Sequence, residues 1–262
     1  MFEFRFLLIA LAGALLSGFS LALFSPFVTL RRISYMGEAL SHIAFAGIAI
    51  ALVLGWNLGL TTLIFVATIS LAIGYLSRKQ KLDESNTITI FLSVSMALGI
   101  ILISLKRGYT FDLASYLFGN VLLISPGELL QLGMLSLLNL AFIGFFYKEL
   151  FYISYNIDIA RVYRVRTELV NSLFLVLLAA NIVINLRSAG IILVSAQLIL
   201  PAVVAANLSR RLPVRILICV LISLISAVCG FLLSWWMNLP TGATIVVFEF
   251  LLYLLSQLRL RP

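Results

Sequence analysis

The chain has 262 residues, 63% of them hydrophobic and only 11% charged, against about 25% charged in an ordinary soluble domain. So little polar surface cannot cover a water-facing globule, which excludes a soluble enzyme or binding domain. The formal charge of +8 does not point to nucleic acid either, because the basic residues sit in short stretches between apolar runs, where they orient membrane helices.

Nine helical segments are predicted, at roughly 5–25, 33–55, 58–77, 87–105, 126–147, 169–186, 189–207, 214–236 and 243–258. The first apolar run, FRFLLIALAGALLSGFSLALF, has no small-residue cleavage site and is long enough to cross a bilayer, so it reads as the first span rather than a signal peptide. The segment at 189–207 follows its neighbour through the tight RSAG turn and carries Pro201, which leaves eight full spans as the alternative count. The expected fold is an all-α polytopic membrane protein, a bundle of 8–9 transmembrane helices forming one domain over residues 1–262.

Charge gives the orientation. With Arg31 and Arg32 placed in the cytoplasm, the stretches RKQKLDES (78–85), 148–168, SRRLPVR (209–215) and the tail RLRP fall on the same side. That side holds 14 of the 18 Lys and Arg; Arg5, Lys106, Arg107 and Arg187 fall on the other. The asymmetry is that of the positive-inside rule, and nine segments put the C-terminus in the cytoplasm. Cys219 and Cys229 share one apolar run and read as buried free thiols. Gln197 and Asn181 read as helix–helix glue. Asp112, Glu128, Lys106 and Arg107 read as solvated charge on the outer side.

One stretch breaks the apolar pattern. In GEALSHIAFAG (37–47), Glu38 and the only histidine, His42, lie four residues apart, on one face of the second helix. Counted from Arg32, they lie about 9 and 15 Å along the helix, at about 1.5 Å per residue. Ser34 and Ser41 are expected to extend that face. A charged side chain at such a depth costs about 2.5–3.5 kcal/mol on insertion scales. A carboxylate and an imidazole suit Zn²⁺ or Mn²⁺. One helix supplies two ligands, and a second copy about a two-fold axis would supply four, a set that suits a cation in transit. The same pair also fits a packing role, bonded to each other or to nearby Ser and backbone groups. Glu249, in TIVVFEFLLYLLS, is the other acid well inside a span. It could line the same path, pair with a buried Arg or Ser, or sit protonated. No G-x-x-x-x-G-K-[ST] occurs, so no P-loop nucleotide site is expected.

These residues carry a resemblance. RRISYMGEALSHIAFAG resembles the start of the second helix in permease subunits of bacterial zinc and manganese ABC importers (the ZnuB type). YLFGNVLLISPGEL (116–129), GIILVSAQLILPAVVAANLSRR (190–211) and LPTGATIVV (239–247) resemble later segments of that family, in family order. The resemblance implies a bundle related to the vitamin-B12 and siderophore importer permeases, with no enzymatic activity of its own and no resident cofactor. It implies a homodimer, two cytoplasmic ATP-binding subunits, an extracytoplasmic metal-binding protein, and placement in the bacterial inner membrane. Zinc, or manganese, is then the transported ion, and Glu38 and His42 fall on the family's intramembrane metal contacts. The ATPase contact falls on Pro201, Asn207, Arg210, Arg211 and Pro213, with 155–166 a second surface. Three positions depart from the pattern: Glu38 replaces an aspartate, Ile43 an alanine, and ARVYR lacks the family's glycine. The alternatives to a zinc or manganese permease are a permease for a metal chelate and a non-transport intramembrane scaffold.

Overall fold

The computed structural model describes residues 2–80, 84–105, 119, 124–156, 160, 163 and 166–258, the side chains of 2–6, 78–80 and 84 excepted. Among the described residues all regular structure is helical. The helices are α1 (Phe2–Leu30), α2 (Ser34–Leu54), α3 (Leu58–Gln80), α4 (Glu84–Leu105), α5 (Pro126–Phe145), α6 (Tyr147–Tyr155), α7 (Thr167–Leu208), α8 (Leu212–Met237) and α9 (Thr241–Leu258). Eight of them contain a stretch long and apolar enough to cross a membrane, which bears out the expected all-α polytopic fold. Only α6 is too short, and it corrects the reading of 148–168 as a loop: Phe151 and Tyr152 pack edge to face there.

Two other boundaries differ from expectation. α1 does not stop at 25 but continues through Pro26 to Leu30. A proline costs a helix one hydrogen bond, a loss tolerated in membrane helices where neighbouring groups supply bonds. Beside the proline, Thr29 Oγ1 donates to Ser25 O (3.0 Å) and Ser25 Oγ accepts from the Ala202 amide of α7 (3.1 Å), bonds separate from the one that Pro26 removes. The segments predicted at 169–186 and 189–207 have no loop between them. They form the 42-residue α7, interrupted at Gly190 (φ 76°, ψ 167°). A straight helix of that length would run about 63 Å, twice the roughly 30 Å hydrocarbon core. The break at Gly190 divides it into two arms, each about one bilayer long, in keeping with the two segments read from the sequence.

The chain forms two compact units. One comprises Met1–Arg32, Ala114–Tyr147 and Asn185–Pro262; the other Ile33–Leu113 and Lys148–Ile184. In the first, α1 packs against α5 and α8, and α8 also packs against α9. Apolar burial supplies its interior: Leu21, Phe24 and Phe27 are fully buried, and Cys219 packs with Ala22, Ala202 and Ala205. Small polar groups stitch its helices together. Ser136 Oγ of α5 donates to Leu16 O of α1 (3.3 Å), Asn185 Nδ2 to Ser20 Oγ (3.4 Å), and Ser223 Oγ to Gln197 Oε1. The last bond bears out Gln197 as a link between helices. Asn181 Nδ2 donates to Leu177 O of its own helix (2.9 Å).

In the second unit α2 packs against both α3 and α4. Ser70 Oγ of α3 donates to Leu175 O in the first arm of α7 (3.2 Å). Beyond the spans, Tyr152 stacks on Tyr163 with ring centroids 4.8 Å apart.

Candidate functional site

α2 starts abruptly. Arg32 adopts a left-handed turn (φ 60°) that ends α1, and the new helix begins two residues later at Ser34 with no side-chain cap. It ends at Gly55 (φ 70°), whose amide donates to Ala51 O. Because α3 and α4 cover its other sides, Met36, Gly37, Ala39, Leu40, Ser41 and Ile43 are buried. A narrow strip remains. Tyr35 and Glu38 are exposed and His42 is half-buried, at spacings of three and four residues that keep them on one face.

Glu38 and His42 therefore do share a face, as the sequence predicts, and it is a face the chain leaves open. Among the described residues neither side chain is hydrogen-bonded or ion-paired. Ser41 does not extend the strip: it is fully buried, with its hydroxyl donating to Gly37 O (2.8 Å). A serine in a helix satisfies its hydroxyl against the preceding turn at no cost in burial, so its polarity says little about which way it points. Ser34 is half-buried. Tyr35 is the strip residue that sequence reasoning missed. Its spacing of three from Glu38 is the signal that would have found it.

One chain alone does not build a closed metal centre. No group of three or more His, Cys, Asp or Glu side chains comes together among the described residues. Glu249 lies elsewhere, in the other unit. It is fully buried on α9, and the facing helix α8 contributes no imidazole or second carboxylate. Of the residues mapped to an ATPase contact, Arg210, Arg211 and Pro213 are exposed around the turn between α7 and α8. Asn207 is half-buried and donates to Ser256 Oγ (3.0 Å), while Pro201 is buried inside α7. Glu128 caps α5 and pairs with Arg187 at 3.5 Å. Lys106, Arg107 and Asp112 lie outside the described residues, as does most of 155–166.

Eight helices long and apolar enough to cross a membrane, among the described residues, give the architecture of a polytopic membrane protein. The chain belongs to the ABC 3 transport family, which matches residues 3–259. It is 33% identical over 254 residues to the manganese transport system membrane protein MntC of Halalkalibacterium halodurans, covering 97% of this chain and 87% of that protein. It is 30% identical over 250 residues to the high-affinity zinc uptake system membrane protein ZnuB of Buchnera aphidicola, covering 95% of each. Among solved structures it is similar to PsaBC from Streptococcus pneumoniae in complex with Fab. The TM-score there is 0.83 at 29% identity, over 96% of this chain and 90% of that one. It also shares the fold of a metal-chelate type ABC transporter in an inward-facing conformation. The TM-score is 0.74 at 19% identity, over 97% of this chain and 86% of that one. The resemblance read from the sequence is thereby borne out.

Proposed function

We propose that the chain is the membrane permease of an ATP-driven importer of zinc or manganese, working as a homodimer in the bacterial inner membrane with its C-terminus in the cytoplasm. Membership of the ABC 3 transport family supports the importer assignment, and relatives named for manganese and for zinc support a divalent transition metal as cargo. The observation that carries the mechanism is the open strip on α2. A carboxylate left exposed to hydrocarbon costs about 2.5–3.5 kcal/mol, so the face needs a polar partner or water against it. A second copy placing its own strip opposite supplies both cover and chemistry: two carboxylates and two imidazoles, the hard-to-borderline donors that Zn²⁺ and Mn²⁺ accept.

Transport then runs by alternating access. An extracytoplasmic binding protein releases the ion at the outer mouth, and ATP hydrolysis by two separate cytoplasmic subunits rocks the two copies. The ion is handed past Glu38 and His42. Exposed Arg210, Arg211 and Pro213 suit the ATPase contact, since they stand free in a short turn between two packed helices. The test is uptake of radiolabelled zinc and manganese by cells whose only importer carries this chain. His42→Ala and Glu38→Gln should each weaken uptake at least about tenfold while the permease remains in the membrane. Tyr35→Cys, with both native cysteines replaced, should cross-link two copies. Unchanged metal-limited growth in His42→Ala would defeat the proposal.

A further inference from the structure

The α2–α3 pair leaves a groove beside its closest contact. A Cβ on Gly47 of α2 would fall 2.9 Å from Thr62 Cα of α3, so the two backbones meet there. Flanking that contact is a groove of about 480 Å³, walled by Ile50 of α2 and by Leu60, Ile64 and Phe65 of α3. Small-ligand sites occupy about 300–1,000 Å³ and are mostly apolar, with a few polar groups at fixed places.

The polarity of this groove is one-ended. Trp56 and Asn57 line its mouth. Asn57 Oδ1 accepts from the Leu60 amide (3.0 Å), which leaves Nδ2 over. Among the described residues neither that nitrogen nor the Trp56 indole Nε1 has a hydrogen-bond partner. Thr68 lines the far end, and its hydroxyl is already spent on Ile64 O (2.7 Å), so the inner end offers a ligand only apolar surface. No charged side chain lines the groove among the described residues.

Its length fits one leaflet. Asn57 to Thr68 is eleven residues, or about 16 Å of helix, against about 15 Å for half of a hydrocarbon core roughly 30 Å thick. Trp56, 62% exposed just past the end of α2, stands where tryptophans collect at the membrane–water boundary. The two spare donors therefore lie at headgroup level, and the apolar walls run along the path of an acyl chain.

The groove also faces away from the strip on α2. Gly47 follows Glu38 by nine residues, about two and a half turns, so it points to the opposite side of the helix. α3 thus packs on the back of α2, whereas the function proposed above puts the second copy against Glu38 and His42. Leu60 and Ile64, each 59% exposed, are left to the bilayer.

We propose that the α2–α3 groove binds one phospholipid, with an acyl chain lying along Leu60 and Ile64 toward Thr68. The Trp56 indole and the Asn57 amide donate to the ester and phosphate oxygens at its head. Because both donors are neutral, zwitterionic and anionic phospholipids bind alike. Placing this lipid in the outer leaflet rests on the orientation proposed above; the site itself does not.

The test uses the full-length chain in nanodiscs holding phosphatidylethanolamine with a photoactivatable diazirine in mid-chain. Mass spectrometry of the digested protein should find the label concentrated between Leu60 and Thr68, severalfold above the exposed Ile90, Val94 and Leu98 face of α4. Thr61→Trp, which fills the groove below its mouth, should remove that excess and leave the α4 label unchanged. If Thr61→Trp does not reach the membrane, competition on the native chain decides: unlabelled phosphatidylethanolamine and phosphatidylglycerol should displace the label equally, and hexadecane should not. Equal labelling of α3 and α4 would mean ordinary boundary lipid and overturn the proposal. So would a label indifferent to Thr61→Trp, displacement by the anionic lipid alone, or displacement by hexadecane. Cross-linking of two copies through Ile64→Cys, with both native cysteines replaced, would assign the groove to a second copy instead; the Tyr35→Cys cross-link reports on the proposed dimer face separately.

Discussion

Gly119 and Gly190 meet backbone to backbone. Gly119 has φ +61°, and a Cβ built on it would fall 2.6 Å from the Ala189 carbonyl carbon and closer still to the Gly190 amide nitrogen. Gly190 is itself the point where α7 leaves helical geometry. Gly119 is thus needed twice, for its left-handed backbone and for the close approach, and Gly190 for its backbone conformation. Gly119→Ala should cost about 2–5 kcal/mol, the sum of a left-handed alanine and an overpacked contact. A clear drop in melting temperature of the purified permease checks this, and a native-like value would mean that the two backbones do not touch.

The same pair marks where the sequence was legible and where it was not. Every span was readable because about 20 apolar residues in a row have few alternatives, and the Glu38/His42 face followed from helical spacing alone. The continuity of α7 was not readable: RSAG looks like a turn, and only the conformation of Gly190 makes it a break within a helix. α1 reads as ending before Pro26, whereas the helix runs through that proline to Leu30, as membrane helices tolerate. Tyr35 joins the strip, and Ser41 leaves it, because α3 and α4 decide which side of α2 is covered. No local pattern contains that choice.

Ser125 and Arg187 should differ sharply in their effect on stability, though both touch Glu128. Ser125 Oγ accepts from the Glu128 amide (3.3 Å), and the Glu128 carboxylate accepts from the Ser125 amide (3.0 Å), a reciprocal cap at the start of α5. Ser125→Ala should cost about 1 kcal/mol. Arg187 is 67% exposed and 3.5 Å from the same carboxylate. Exposed pairs of this kind contribute about 0–1 kcal/mol, so Arg187→Ala should shift the melting temperature less than Ser125→Ala does. The reverse order would give the ion pair, not the cap, the main role.

Gly230 lets α9 approach α8. A Cβ there would lie 2.6 Å from Ile245 Cα and 2.9 Å from its amide nitrogen, backbone atoms that cannot rotate away. Gly230→Ala should destabilise the unit by about 1–3 kcal/mol through overpacking, despite alanine's better helix propensity of about 1 kcal/mol. Enlarging the same residue to valine should be worse. Melting temperatures of the three proteins in one detergent give the order directly, and alanine above glycine would show that the helices are further apart than the contact requires.

Transport itself should discriminate between charge and shape at Glu38. Aspartate keeps the carboxylate one methylene shorter and is the residue usual in the resembling family, so Glu38→Asp should retain uptake. Glu38→Gln keeps the shape and loses the charge. Removing one ligand from each of two copies should weaken the transit site at least about tenfold, which is about 1.4 kcal/mol. Acid should act in the same direction. Carboxylate and imidazole bind a metal only when deprotonated, and histidine is the side chain whose charge ordinarily changes between about pH 5 and 8. Metal uptake at a fixed free-ion concentration should therefore fall as external and internal pH are lowered together from about 7.5 to 5.5. A flat profile in the native chain would remove direct ligation from the mechanism.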